Sequence, residues 1–85
     1  MNWKLVWTRP ALKDMKKIGQ QQARRVREKV KRFAETGEGD VKKLTDVEPP
    51  EWRQRVGDWR VFMRPDTELK QLNVMRVKKR DQAYR

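Results

Sequence analysis

The chain has 85 residues, 35% of them hydrophobic and 41% charged, with 23 basic and 12 acidic side chains and a net charge of +11. That length allows one small domain over residues 1–85 with a thin core. The charge favours a nucleic acid or another anionic partner over a membrane surface. Cysteine and histidine are both absent, which excludes disulfides, cysteine-ligated metal sites and the usual neutral-pH acid or base, and fits a reducing, cytoplasmic setting.

Residues 2–8, "NWKLVWT", alternate, with Trp3, Leu5 and Trp7 on one face and Lys4 and Val6 on the other, which is strand periodicity. Thr8 is a helix-capping residue and Pro10 suits a first helical turn. Ala11, Leu12, Met15 and Ile18 then recur at helical spacing up to a stop at Gly19. A second helix over 20–36 carries the apolar stripe Ala23, Val26, Val30, Phe33 and Ala34, opposite a basic face of Arg24, Arg25, Arg27, Lys31 and Arg32. Two consecutive helices so closely joined form a hairpin.

Residues 37–50, rich in Gly, Pro and Asp, read as a connection from which Leu44 reaches the core. Strands are expected at 51–56 and 59–64 around the turn Gly57-Asp58, and at 69–77 after a second turn at Pro65-Asp66. The order strand, helix, helix, three strands predicts an α+β fold, with the helix hairpin on one face of a mostly antiparallel four-stranded sheet. Trp3, Trp7, Trp52 and Trp59 are the expected large core fillers. No apolar run is long enough to span a bilayer.

The stretch "RQRVGDWRVFMR" places Arg53, Arg55, Arg60 and Arg64 within twelve residues. Alternate strand residues share a face. Turning Trp52, Val56, Trp59, Val61 and Met63 inward sends all four arginines to the same open face. Gln54 then points inward, which an edge position would relieve. A solvated basic face is one reading of this cluster. The other is a phosphate site, since like charges on neighbouring strands repel and a guanidinium donates paired hydrogen bonds to phosphate. The whole-chain charge favours the phosphate site. After the last strand, "RVKKRDQAYR" adds Arg76, Lys78, Lys79 and Arg80, with Tyr84 four residues on. It reads either as a frayed basic tail or as arginines that hold phosphate beside a ring that stacks on a base.

The series "W-x-L-x-W-T", helix hairpin, "KKLTD", "WRQRVGDWRVFMR" and "RVKKRDQAY" resembles the RelE/ParE toxins of bacterial type II toxin–antitoxin systems, and its RelE-like branch in particular. The resemblance covers nearly the whole chain and implies a compact α+β fold. For the RelE branch it implies a messenger-RNA endoribonuclease acting in the ribosomal A site, in which the substrate's own 2′-hydroxyl attacks the adjacent phosphate without a metal or organic cofactor. It implies roles for Arg53 and Arg55, where RelE proper has lysine, for Arg60 on the scissile phosphate, for Arg80 at the leaving oxygen and for Tyr84 against the nucleotide. Arg64, Lys78 and Lys79 join them as RNA-binding residues, Lys79 standing where many relatives have histidine. Because arginine keeps its proton where lysine can be tuned, Tyr84 and Lys79 are the remaining acid–base candidates. The implied partners are a cognate antitoxin in a hetero-oligomer, the ribosome with its messenger RNA, and operator DNA reached through the antitoxin complex. Two alternatives compete. One is a ParE-like toxin that poisons DNA gyrase without cutting RNA. The other is a basic RNA-binding module that cuts nothing.

Overall fold

The structure is a computed structural model that describes residues 1–83. Its elements are β1 (Lys4–Trp7), α1 (Arg9–Lys17), α2 (Gln20–Thr36), β2 (Val41–Leu44), β3 (Glu51–Val56), β4 (Trp59–Asp66) and β5 (Gln71–Lys79). The strands form one sheet in the order β1-β5-β4-β3-β2, antiparallel throughout except for the parallel β1/β5 pair. The α+β class is as expected, but the sheet has five strands, not four. The additional strand, β2, lies inside the segment read as a connection. Its four residues, VKKL, carry no two-residue alternation, and only their pairing with β3 makes them a strand.

Both helices cover one face of the sheet. The α2 stripe Ala23, Val26, Val30, Phe33 and Ala34 is wholly buried, against Trp52, Val56, Val61, Met63, Leu72, Val74 and Val77 of the strands and Ala11 and Met15 of α1. Trp52 stacks on Trp3 at 5.5 Å and meets the Phe33 ring edge-on at 5.9 Å. Trp3, Trp7 and Trp59 are only partly buried, so one tryptophan rather than four is a full core residue. Leu12, placed by spacing in the α1 stripe, is 49% exposed. In its stead Asp14 is buried, where it accepts the Val77 N–H of β5.

Three further expectations change. The Pro65-Asp66 turn falls later, because β4 runs on to Asp66 in register with β5. The chain reverses over 67–70, where the Leu69 N–H donates to Asp66 Oδ1 at 3.0 Å and Lys70 takes a φ of 51°. Leu44 lies on edge strand β2 and is half-buried. Gln54 is not relieved by an edge: β3 is an inner strand and Gln54 is 1% exposed. Its Nε2 donates to the Lys29 carbonyl at 3.2 Å, while its Oε1 is buried with no hydrogen-bond partner. An unpaired buried acceptor costs about 1–3 kcal/mol. Gln54→Met, similar in length and apolar, is therefore expected to raise stability by roughly 1 kcal/mol in chemical denaturation. A loss of stability would mean that the bond to Lys29 outweighs the orphaned oxygen.

Candidate nucleic-acid interface

The hairpin that carries the arginines turns in two residues, with Val56 paired to Trp59. Gly57 supplies the positive φ, 58°, at the first turn position, the pattern of a type II′ turn that suits the strand twist. The Arg25 guanidinium packs 3.0–3.2 Å from where a Cβ on Gly57 would sit, so a side chain there meets both strain and a neighbour.

Cross-strand register then arranges the face away from the helices. Arg55 of β3 lies opposite Arg60 of β4, and Arg60 opposite Lys78 of β5, so three cations occupy one row. The next row runs Lys42, Arg53, Phe62 and Arg76 across β2 to β5. Arg64 lies further along β4, exposed and opposite Asn73. Strands sit about 4.8 Å apart, so the charges of each row repel. Some are tethered. Arg60 Nη1 donates to the carbonyls of Gly57 and Trp59, both at 3.0 Å, which aims its guanidinium at the hairpin turn. Arg53 Nε donates to Glu51 at 2.8 Å and its guanidinium lies over the Phe62 ring at 5.2 Å. Among the described residues Arg55 and Lys78 have no acidic partner. A cleft of about 360 Å³ opens on this face between Pro10 and Ala83, floored by Phe62 and walled by Glu51, Arg64, Arg76 and Lys78.

The expected site residues therefore divide. Arg55, Arg60 and Lys78 form the central row. Arg53 stands beside it and Arg64 at the far end of the cleft. Arg80 follows in the turn after β5, its N–H donating to the Asp58 carbonyl at 2.7 Å, which continues the β4/β5 register by one residue. Lys79 pairs with Trp59 on the opposite parity and lines a different cleft. Tyr84 lies outside the described residues.

Sequence reasoning misses Asp14, Glu51 and Phe62, and names Arg76 only as part of the carboxyl-terminal basic cluster. Asp14 explains the edge of the site. β1 ends at Trp7, opposite Val74, so β5 continues beyond it with an unpaired edge. Thr8 and Asp14 fill the gap. The Thr8 hydroxyl donates to the Val74 carbonyl at 2.7 Å and accepts the Ala11 N–H at 3.4 Å, capping α1. The Asp14 carboxylate accepts the buried Val77 N–H at 2.9 Å and two bonds from Arg76, at 2.8 and 3.2 Å. Burial pushes its carboxyl up, but the Arg76 bond, the Val77 N–H and the charges of Arg76 and Lys17 outweigh burial and hold it below the usual carboxylate range. The same pair raises the Arg76 guanidinium further. A signal for this existed: Asp14 is the only acidic residue among the first 27, and it sits three residues after Ala11 on the apolar stripe.

A model of the family described as the ParE toxin of the type II toxin–antitoxin system, parDE, matches residues 5–84. Sequence comparison with curated proteins finds no match. Among solved structures, a chain of the archaeal RelE–RelB complex from Pyrococcus horikoshii superposes with a TM-score of 0.79 at 22% identity, over 98% of this chain and 100% of that one. A chain of the RelBE2 toxin–antitoxin complex from Mycobacterium tuberculosis gives 0.74 at 22% identity, over 94% and 100%. The isolated Escherichia coli RelE toxin gives 0.63 at 18% identity, over 96% and 88%. At these identities the structural likeness concerns the fold.

Proposed function

The chain belongs to the ParE toxin family of type II toxin–antitoxin systems, within the RelE/ParE superfamily, and from that premise we propose that it is a ribosome-dependent messenger-RNA endoribonuclease of the RelE kind, acting in the cytoplasm. The observation that carries this reading is the row Arg55–Arg60–Lys78, three cations in cross-strand register on the face that the helices leave open.

The chemistry needs little beyond charge and alignment. The 2′-hydroxyl loses its proton to solvent, its oxygen bonds the adjacent phosphorus, and the P–O5′ bond breaks. The leaving 5′-oxygen takes a proton from solvent, and the other product is a 2′,3′-cyclic phosphate. Negative charge builds on the non-bridging oxygens between attack and departure, and fixed cations stabilise it there more than in the ground state. Arg60, pinned by two carbonyls, holds the phosphate; Arg55 neutralises from one side. Lys78 neutralises from the other side. The ribosome would align the substrate for in-line attack. Arg80 and Tyr84 complete the set by resemblance.

The partner is a cognate antitoxin, as in the toxin–antitoxin complexes whose toxin chains share this fold, and operator DNA would be reached through that complex. An acidic antitoxin segment would relieve the repulsion within the cation rows. A second reading, inhibition of DNA gyrase without RNA cleavage, is favoured by the matching family model being that of ParE. Primer extension on messenger RNA in a reconstituted translation system separates the two. Codon-phased cuts that need ribosomes are expected. Intact messenger RNA together with gyrase-trapped DNA breaks would overturn the interferase in favour of the second reading.

A further inference from the structure

A second cleft, of about 440 Å³, lies around the edge of β5 from the open face. Lys17 of α1, Trp59 of β4, Lys79 at the end of β5 and Gln82 after it line it, and it shares Arg76 and Lys78 with the cleft floored by Phe62. Those two side chains are thus a ridge between two concavities, and a polyanion crossing it meets cations on both slopes.

The second cleft is more than a solvated basic surface. Its one carboxylate, Asp14, is spent on Arg76 and on the Val77 N–H, so it offers an incoming phosphate little repulsion. Lys17 and Lys79 are exposed and, among the described residues, make no salt bridge, although the Lys17 charge is felt by Asp14. The Trp59 indole is half-buried and fixed, its Nε1 donating to Gln22 Oε1 at 3.2 Å. A held ring beside two exposed ammonium groups is how single strands are bound without reading sequence: backbone on the cations, base on the aromatic.

We propose that this cleft seats a nucleotide flanking the cleavage position of a single-stranded RNA, its phosphate held by Lys17 and Lys79 and its base laid against Trp59, while the strand crosses the Arg76–Lys78 ridge onto the open face. The inference rests on the RNA reading of that face and adds to it a second subsite and a strand path. Lys79, on the opposite parity from the central row, then acts in binding beside the reaction and not in it.

The test is equilibrium binding of fluorescein-labelled oligouridylates to the full chain at several salt concentrations, comparing the unaltered protein with the double variant Lys17→Gln, Lys79→Gln. Glutamine removes both charges while keeping a polar side chain one atom shorter, and both positions are exposed, so the fold is retained. Each phosphate contact to a single strand contributes about 0.7 to the slope of log affinity on log salt. The double variant is expected to lose about that much slope, and about fivefold in affinity at 0.1 M relative to 1 M salt. It should also lose the affinity that the unaltered protein gains between a trinucleotide and a hexanucleotide. An unchanged slope and length gain in the double variant, with binding weakened by Lys78→Gln, would overturn the second subsite and leave the open-face reading standing. No RNA binding by the unaltered protein would overturn the second subsite, while codon-phased cleavage in the translation system judges the ribosome-dependent reading separately.

Discussion

Arg60→Ala is expected to lower ribosome-dependent messenger-RNA cleavage by roughly 100- to 1,000-fold, the usual effect of removing one preorganised transition-state donor. Arg60 is the middle of the cation row, opposite Arg55 and Lys78, and two backbone carbonyls at 3.0 Å hold its guanidinium before substrate arrives. Arg55 is exposed and untethered among the described residues, so Arg55→Ala should cost less. Arg60→Lys keeps the charge but loses the planar fork and should fall between the two. The fold supplies its own control. Like charges directly opposite in a sheet destabilise it by a few tenths of a kcal/mol each, so Arg60→Ala should leave the melting midpoint unchanged or slightly higher. Single-turnover cleavage with the ribosome complex in excess gives the rate, and thermal unfolding followed by circular dichroism gives the control. Cleavage at the unaltered rate in a folded Arg60→Ala protein would remove Arg60 from the mechanism.

Asp14→Ala should produce the largest loss of stability, about 2 kcal/mol, or roughly a 10 °C fall in the melting midpoint of a domain this small. Most of it comes from the Val77 N–H, which is buried and would be left without an acceptor. The ion pair adds less, because the Arg76 side chain is 48% exposed and screened by solvent. Asp14→Asn leaves an oxygen that can accept from Val77 and should recover part of the loss. The pH dependence follows from the direction of the shift. Asp14 is held below its unfolded value of about 3.9. Its charge therefore stabilises the fold fully above about pH 5, and that share is lost as pH falls through the lower, folded value. The stability gap between the unaltered protein and Asp14→Asn should be flat near neutrality and narrow below about pH 4. Denaturant titrations at several pH values measure this; a gap that widens in acid would mean that the carboxyl is not ionised in the folded state.

Much of the molecule is legible in the order of its residues. Period 3.6 in α2 identifies all five of its buried side chains, because a helix packed on a sheet has one face to hide and the sequence must repeat with the turn. Period 2 in "RQRVGDWRVFMR" sends Arg53, Arg55 and Arg60 to the open face for the same kind of reason. Gly57-Asp58 marks the reversal between them because a two-residue hairpin needs a positive φ.

What periodicity leaves open is which strands meet and at what offset. Strand β2 has no pattern of its own and exists through its hydrogen bonds to β3. The Phe62/Met63 irregularity against β5 sets Lys78 opposite Arg60 and sends Lys79 to the far cleft, so one residue's offset decides which of two adjacent lysines joins the central row. Leu12 and Asp14 exchange burial because β1 stops short of the end of β5, and an exposed strand edge needs a hydrogen-bond acceptor more than it needs another apolar contact. Gln54 is inward by parity and inner by strand order, and only the sheet order shows that no edge relieves it. Local sequence determines which face a side chain takes, since that depends on the backbone's own period. Its neighbours across strands 62 residues away or more, such as Arg76 for Asp14, are decided only when the sheet closes.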